Sequence, residues 1–221
     1  ELGYKPNPIA KKLIQQRSFN IGVVVPEFIT SFFPKVISGI QEVLIAKGYQ
    51  VLIMETGESC ERELEVIKTL EESMVDGMLI SLSKETHNVD YINKLITSGL
   101  PVVLFNRVSE DIMAPKVLFD DYKWAFFATE RLIEAGYKNI FHYAAPTSLS
   151  LSKKRINGFV SALKKHGLLE SCEQVIETGF TIQDGEVITE KLLDEGKAFD
   201  AIFSSNDRSA IGAIRVLKRR G

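Results

Sequence analysis

The chain has 221 residues, 45% of them hydrophobic, with 29 acidic side chains against 27 basic ones and a formal charge of −2. That is enough apolar material for a full core, in one large domain or in two lobes of ordinary size, so neither a metal nor a disulfide framework is needed. The charge balance argues against a body that binds nucleic acid over its whole surface. No apolar run approaches the roughly 18 residues of a membrane helix. Cys60 and Cys172 lie far apart with no Cys-x-x-Cys or Cys/His cluster, which suits structural thiols in a reducing compartment, and the cytoplasm is the expected location.

Residues Glu1 to Arg17 differ in character from the rest of the chain. Asn7 is a good N-cap and Pro8 suits a first helical position, so a short helix is expected over Asn7 to Gln16. Helices below about 12–15 residues are marginal alone. The segment carries Lys5, Lys11, Lys12 and Arg17 against Glu1, and so reads as a basic arm that something else must fold.

Ile21 to Val25, closed by Pro26, is a continuous, mostly β-branched run, the pattern of a strand buried on both faces. A helix beginning at Pro34 follows, with Val36, Ile37, Ile40, Val43 and Leu44 on one side and Gly48 as its stop. The series continues as strand Val51 to Met54, helix Glu61 to Glu72, strand Gly77 to Ser81, helix Asn88 to Ser98 and strand Val102 to Phe105. After Ala114-Pro115 comes a short run, Val117-Leu118-Phe119. Asp120 or Asp121 then caps a helix through Trp124, Phe127, Ala128 and Leu132 to Gly136, and Trp124 is expected in the core. The remaining units are strand Asn139 to Ala144, helix Lys153 to His166, strand Gln174 to Glu177, helix Asp184 to Asp194, strand Ala201 to Ser204 and helix Asp207 to Arg219.

Strict alternation predicts an α/β fold: two tandem doubly wound parallel-sheet lobes facing each other across a cleft. The expected divisions are a linker over 1–18, a first lobe over 19–118 and a second over 119–221. No residue-level repeat accompanies the repeated order of elements. In such sheets ligands bind beyond the carboxyl ends of the strands, near helix N-termini. That nominates the loops Glu27 to Phe33, Ser81 to Ser83, Asn106-Arg107, Ala145 to Arg155 and Ser204 to Asp207. Their aromatic faces, amides, arginine and carboxylate suit a small polyhydroxylated or anionic molecule better than a nucleotide.

Leu2-Gly3-Tyr4-Lys5-Pro6-Asn7-Pro8-Ile9-Ala10-Lys11-Lys12-Leu13 resembles the hinge of the LacI/GalR family of bacterial transcriptional repressors, whose pattern is Leu-Gly-Tyr-x-Pro-Asn-x-x-Ala-Arg-x-Leu. Lysine stands here for the usual arginine. Phe32-Phe33 ahead of Gly39-Ile40-Gln41, Arg155-x-x-Gly158-Phe159, and Asn206-Asp207 with Ala210 to Ala213 extend the likeness over essentially the whole chain. Asn106-Arg107 departs from the family's frequent aspartate before arginine. The resemblance implies a periplasmic-binding-protein-like core, a helix-turn-helix headpiece ahead of Glu1, and a second lobe incomplete at its carboxyl end.

It further implies a homodimer that binds operator DNA, with a sugar or sugar acid as effector in the interlobe cleft, no cofactor, no metal and no membrane. Ala10, Lys11, Lys12 and Leu13 would then be the DNA-binding residues. Leu13 would wedge a base step in the minor groove while the lysines neutralise phosphates. On residue type alone, a solvated basic linker with an incidental leucine is the simpler reading.

Phe32, Phe33, Ser81, Asn106, Arg155, Asn206 and Asp207 would contact the effector. Arg155 can donate two parallel hydrogen bonds to vicinal hydroxyls or a carboxylate. At least one of the two phenylalanines is expected to be packing, and Asp207 could equally cap the helix after it.

The three histidines, His87, His142 and His166, are scattered without a nucleophile or second ligand nearby, so no catalytic or metal site is expected. The Lys218-Arg219-Arg220 run is read as answering a helix dipole. The rival to a regulator is a periplasmic sugar-binding protein of a transporter, which the hinge-like motif disfavours.

Overall fold

A computed structural model of the chain describes residues 17–84, 86–169 and 172–221. Ala10, Lys11, Lys12, Leu13 and the helix expected over Asn7 to Gln16 lie outside the described residues. The chain divides into two compact units, the first ending at Leu118 and the second beginning at Phe119.

The first unit runs β1 (Asn20–Val25), α1 (Phe32–Ala46), β2 (Gln50–Glu55), α2 (Cys60–Glu72), β3 (Gly77–Ile80), α3 (Val89–Thr97), β4 (Val102–Phe105) and β5 (Lys116–Val117). Its sheet has the order β2-β1-β3-β4-β5, with every pair parallel. Val23 and Val25 of the inner strand pack with Phe33 and Ile37 of α1 on one face. Val24 meets Val66, Ile67 and Leu70 of α2 and Ile92 and Leu95 of α3 on the other. Burial on both faces is why β1 shows no apolar–polar alternation.

The second unit runs α4 (Asp121–Glu134), β6 (Ile140–Ala144), α5 (Ser150–Lys165), a 3-10 turn (Cys172–Gln174), β7 (Val175–Glu177), α6 (Ile182–Asp194), β8 (Ala201–Ser204) and α7 (Asp207–Arg220). Its strands are parallel in the order β7-β6-β8, matching β2-β1-β3. Phe141 and Tyr143 pack with Leu192 of α6 and Ala213 of α7. Ile140 packs on the other face with Phe159 and Leu163 of α5, backed by Leu132 and Ile133 of α4.

The same carboxylate device starts both sheets. Asp76, one residue before β3, accepts from the backbone N–H of Ser18 at 2.7 Å and of Phe19 at 3.1 Å, just before β1. Asp200, one residue before β8, accepts from the N–H of Lys138 at 2.8 Å and of Asn139 at 3.0 Å, just before β6. Each aspartate's own N–H donates to the first strand's entry, at Asn20 O (2.8 Å) and Asn139 O (3.0 Å).

Several expected boundaries move for identifiable reasons. The first helix starts at Phe32, not Pro34, leaving proline third, where its missing N–H would have had no helical partner. The sixth starts at Ile182, not Asp184, because Thr181 and Asp184 form a reciprocal capping box. Asp120, rather than Asp121, caps α4 by accepting from Lys123 N at 3.0 Å. The run Val117-Leu118-Phe119 shortens to a two-residue β5, with Leu118 and Phe119 exposed. Trp124, expected in the core, is 53% exposed instead. The buried face of α4 is Asp121, Ala125 and Thr129, and Trp124 stands beside that face, exposed together with Phe127.

Helix pairs in the second unit meet backbone to backbone. A Cβ at Gly158 of α5 would stand 2.3 Å from Tyr122 O and 2.9 Å from Phe126 N of α4. One at Gly185 would stand 2.1 Å from Ser209 O, and one at Gly212 2.1 Å from Ile182 O, across the α6–α7 contact. Gly158→Ala is therefore expected to destabilise the second unit by about 2–3 kcal/mol. Gly39→Ala in α1, where a Cβ meets nothing within 4 Å, should be neutral or mildly stabilising. Urea melts of the two variants check the contrast, and equal midpoints would refute it.

Candidate functional site

The carboxyl ends of the strands in the first unit are lined by a tied polar network. Glu63 of α2 is fully buried, and its carboxylate accepts from Ser83 N at 2.7 Å, from Asn88 Nδ2 at 3.0 Å and from the Thr86 hydroxyl. Thr56 and Ser83 hydroxyls lie 2.9 Å apart. Arg107 is only 6% exposed, and its Nη1 donates to both oxygens of Glu58 at 2.7 and 2.8 Å. Leu82 N donates to Arg107 O, which joins the ends of β3 and β4.

Four predicted residues lie on this rim. Phe32 is 47% exposed, whereas Phe33 is buried with its ring edge-on to Phe105 at 6.4 Å, so the pair divides between surface and core as expected. Ser81 is fully buried, and its hydroxyl has no hydrogen-bond partner among the described residues. Asn106 is half-buried with φ 58°, a left-handed conformation that asparagine tolerates better than most residues.

In the second unit a cavity of about 240 Å³ opens at the end of β8. Asp121, Trp124, Ala125 and Ala128 of α4 form one wall at helical spacing; Arg155, Phe119 and Phe203 to Ser205 complete it. Arg155 is held from two sides, its Nε donating to Asp121 Oδ1 at 2.8 Å and its Nη1 to Ser205 O at 2.9 Å. Nη2 has no partner among the described residues. Phe119 and Trp124 stack at 5.9 Å with 16° between their planes, and both are more than half exposed.

Asn206, next along the chain, caps α7: its side-chain oxygen accepts from Ser209 N at 3.0 Å, and its amide donates to Gly179 O at 3.4 Å. Asp207 is the helix's first residue and is exposed, so the cap is Asn206 and not Asp207. The terminal arginines pair across to α6, Arg219 with Glu190 and Arg220 with Asp194. Among the described residues no group of three or more His, Cys, Asp or Glu could hold a metal ion, and no helix is long and apolar enough to cross a membrane.

Sequence reading missed Asp121, Phe119 and Trp124 as cavity residues. The spacing of Asp121, Trp124, Ala125 and Ala128 marks one helical face. Nothing local shows that the face opens onto Arg155, which lies 34 positions beyond Asp121.

Residues 18–221 match the family described as periplasmic binding proteins and sugar binding domain of LacI family. The chain is similar to catabolite control protein A of Priestia megaterium, 28% identical over 221 residues, covering 100% of this chain and 66% of that protein. It is similar also to the HTH-type transcriptional repressor CytR of Escherichia coli K12, 29% identical over 221 residues, covering 100% and 64%. The chain thus spans about two thirds of the length of these curated relatives, 66% and 64%. Among solved structures it resembles a LacI family transcriptional regulator from Enterococcus faecium with bound ribose, at a TM-score of 0.78 and 27% identity, covering 91% of this chain and 72% of that one.

Behind the cavity wall, His142 is fully buried and stacks on Phe203 at 4.7 Å. Its Nδ1 lies 2.8 Å from Phe203 O, which can only accept, so that nitrogen carries the proton. Burial pushes the imidazole's pKa down to about 4; the bond to Phe203 opposes this and the Arg155 charge adds to it. An unfolded histidine takes up its proton near pH 6.5. Between about pH 6.5 and 4 the unfolded chain therefore binds a proton that the folded one does not, and stability falls with pH by up to about 3 kcal/mol. The melting temperature should drop more steeply from neutral pH to about pH 5 in the native sequence than in His142→Leu. Parallel pH profiles would remove His142 as the cause.

Proposed function

We propose, since this chain belongs to the family of periplasmic binding proteins and LacI-type sugar-binding domains, that it is the hinge and effector-binding core of a transcriptional repressor. It acts in the cytoplasm as a homodimer on operator DNA, and a sugar or sugar acid is its effector. It works as a binding protein, not as an enzyme. The matched relatives, named as a catabolite control protein and a transcriptional repressor, support the regulatory role. The hinge-like stretch from Leu2 to Leu13 supports the route to DNA, with Ala10, Lys11, Lys12 and Leu13 in the minor groove.

The observation that carries effector binding is Arg155, fixed between Asp121 and the Ser205 carbonyl on the wall of an open cavity. A guanidinium already held in place loses little freedom when it meets a ligand, and that preorganisation favours affinity. Phe32 offers an exposed ring, and Phe33 supports it from the core. Ser81, Asn106, Asn206 and Asp207 supply further polar groups at strand ends. Effector binding then shifts the population of dimers competent for DNA.

Two variants of the full-length regulator separate the roles. Leu13→Ala should weaken operator binding at least tenfold in gel-shift titrations and leave effector affinity unchanged. Arg155→Ala should do the converse, abolishing effector binding by calorimetry while the protein still binds operator and no longer responds to effector. Native operator affinity in Leu13→Ala would end the wedge role, and native effector affinity in Arg155→Ala would end the assignment of the arginine.

A further inference from the structure

We propose that the cavity of the second unit selects an uncharged polyhydroxylated ring over the corresponding sugar acid or phosphate ester. The inference rests on the proposed effector role and narrows it, because the charges on the cavity wall cancel. Of the residues lining it only Arg155 and Asp121 are charged, and they form one ion pair at 2.8 Å. A ligand anion that approaches Nη2 of Arg155 also approaches the Asp121 carboxylate. Attraction and repulsion then oppose each other, while the anion still loses its water.

A ligand hydroxyl meets no such conflict. It accepts from Nη2 and donates to Asp121 Oδ2, two groups with no partner among the described residues. The Ser205 hydroxyl adds a second, independent sign. It is buried without a hydrogen-bond partner among the described residues, and its residue lines the same cavity. A buried orphan hydroxyl is costly unless a ligand or a water completes it, and as both donor and acceptor it matches another hydroxyl.

The stacked faces of Phe119 and Trp124 supply the apolar side on which a ring's C–H face rests. A volume of about 240 Å³ falls just below the roughly 300–1,000 Å³ of drug-sized sites, which suits a single ring.

Calorimetric titration of the intact chain with matched pairs tests this: glucose against glucose 6-phosphate and gluconate, and ribose against ribose 5-phosphate. The neutral member of at least one pair should bind at least tenfold more tightly than its anionic counterpart. In Asp121→Asn, which keeps the shape and removes the negative charge, that ratio should fall at least tenfold. Anions that bind the native chain as tightly as the neutral sugars overturn the selection and leave the effector reading standing. An unchanged ratio in a folded Asp121→Asn overturns the role of the ion pair. Silence from every member of the panel removes the effector reading itself, and the selection with it.

Discussion

Parallel strands cannot be aligned by a hairpin, so some other contact must set where each begins. Asp76 and Asp200 do this in the two sheets. Each sits one residue ahead of its unit's third strand and receives the backbone N–H groups at the entry of the first. A carboxylate accepting two amides is a charge-assisted contact stronger than a neutral ladder bond, and it acts where strand pairing starts. With the entries fixed, the ladders bring the exits level: Ser81 N reaches Val24 O, and Ser205 N reaches Tyr143 O. The candidate ligand groups stand at those exits, so their position follows from a contact at the opposite end of each sheet.

The helices add a second constraint. Gly158, Gly185 and Gly212 let helix backbones touch, and the α4–α5 contact draws Asp121 to within a hydrogen bond of Arg155. Were α4 farther away, the guanidinium would lose its main partner and the cavity one wall. The site therefore depends on a residue that has no side chain and never meets a ligand.

Much of the fold was legible because each element carried its own signal. The β-branched run of β1, the apolar stripes of the helices, and Gly48 and Gly136 with positive φ after helix ends all act within a few residues. What failed depended on contacts distant in sequence. Trp124 has the correct period for its helix, yet packing buries the neighbouring face of Asp121, Ala125 and Thr129 instead. The matching aspartates were visible as Val75-Asp76-Gly77 and Phe199-Asp200-Ala201, but one shared aspartate between an apolar and a small residue says nothing without the strand entries it binds. In the site, Arg155 was readable as a candidate through the family likeness. Its partners were not, since Asp121 and Ser205 lie 34 and 50 positions away and are chosen by packing. The hinge-like stretch from Leu2 to Leu13 was legible only as a motif.

Trp124 is the chain's single tryptophan. It sits on the cavity wall, stacked on Phe119 and half open to solvent. An indole's emission follows the polarity of its surroundings, so the protein carries its own optical reporter at the site. A molecule that covers the ring displaces water from it and shifts the spectrum, with no other indole to blur the signal. Occupancy of this cavity can thus be followed by light in the unlabelled chain.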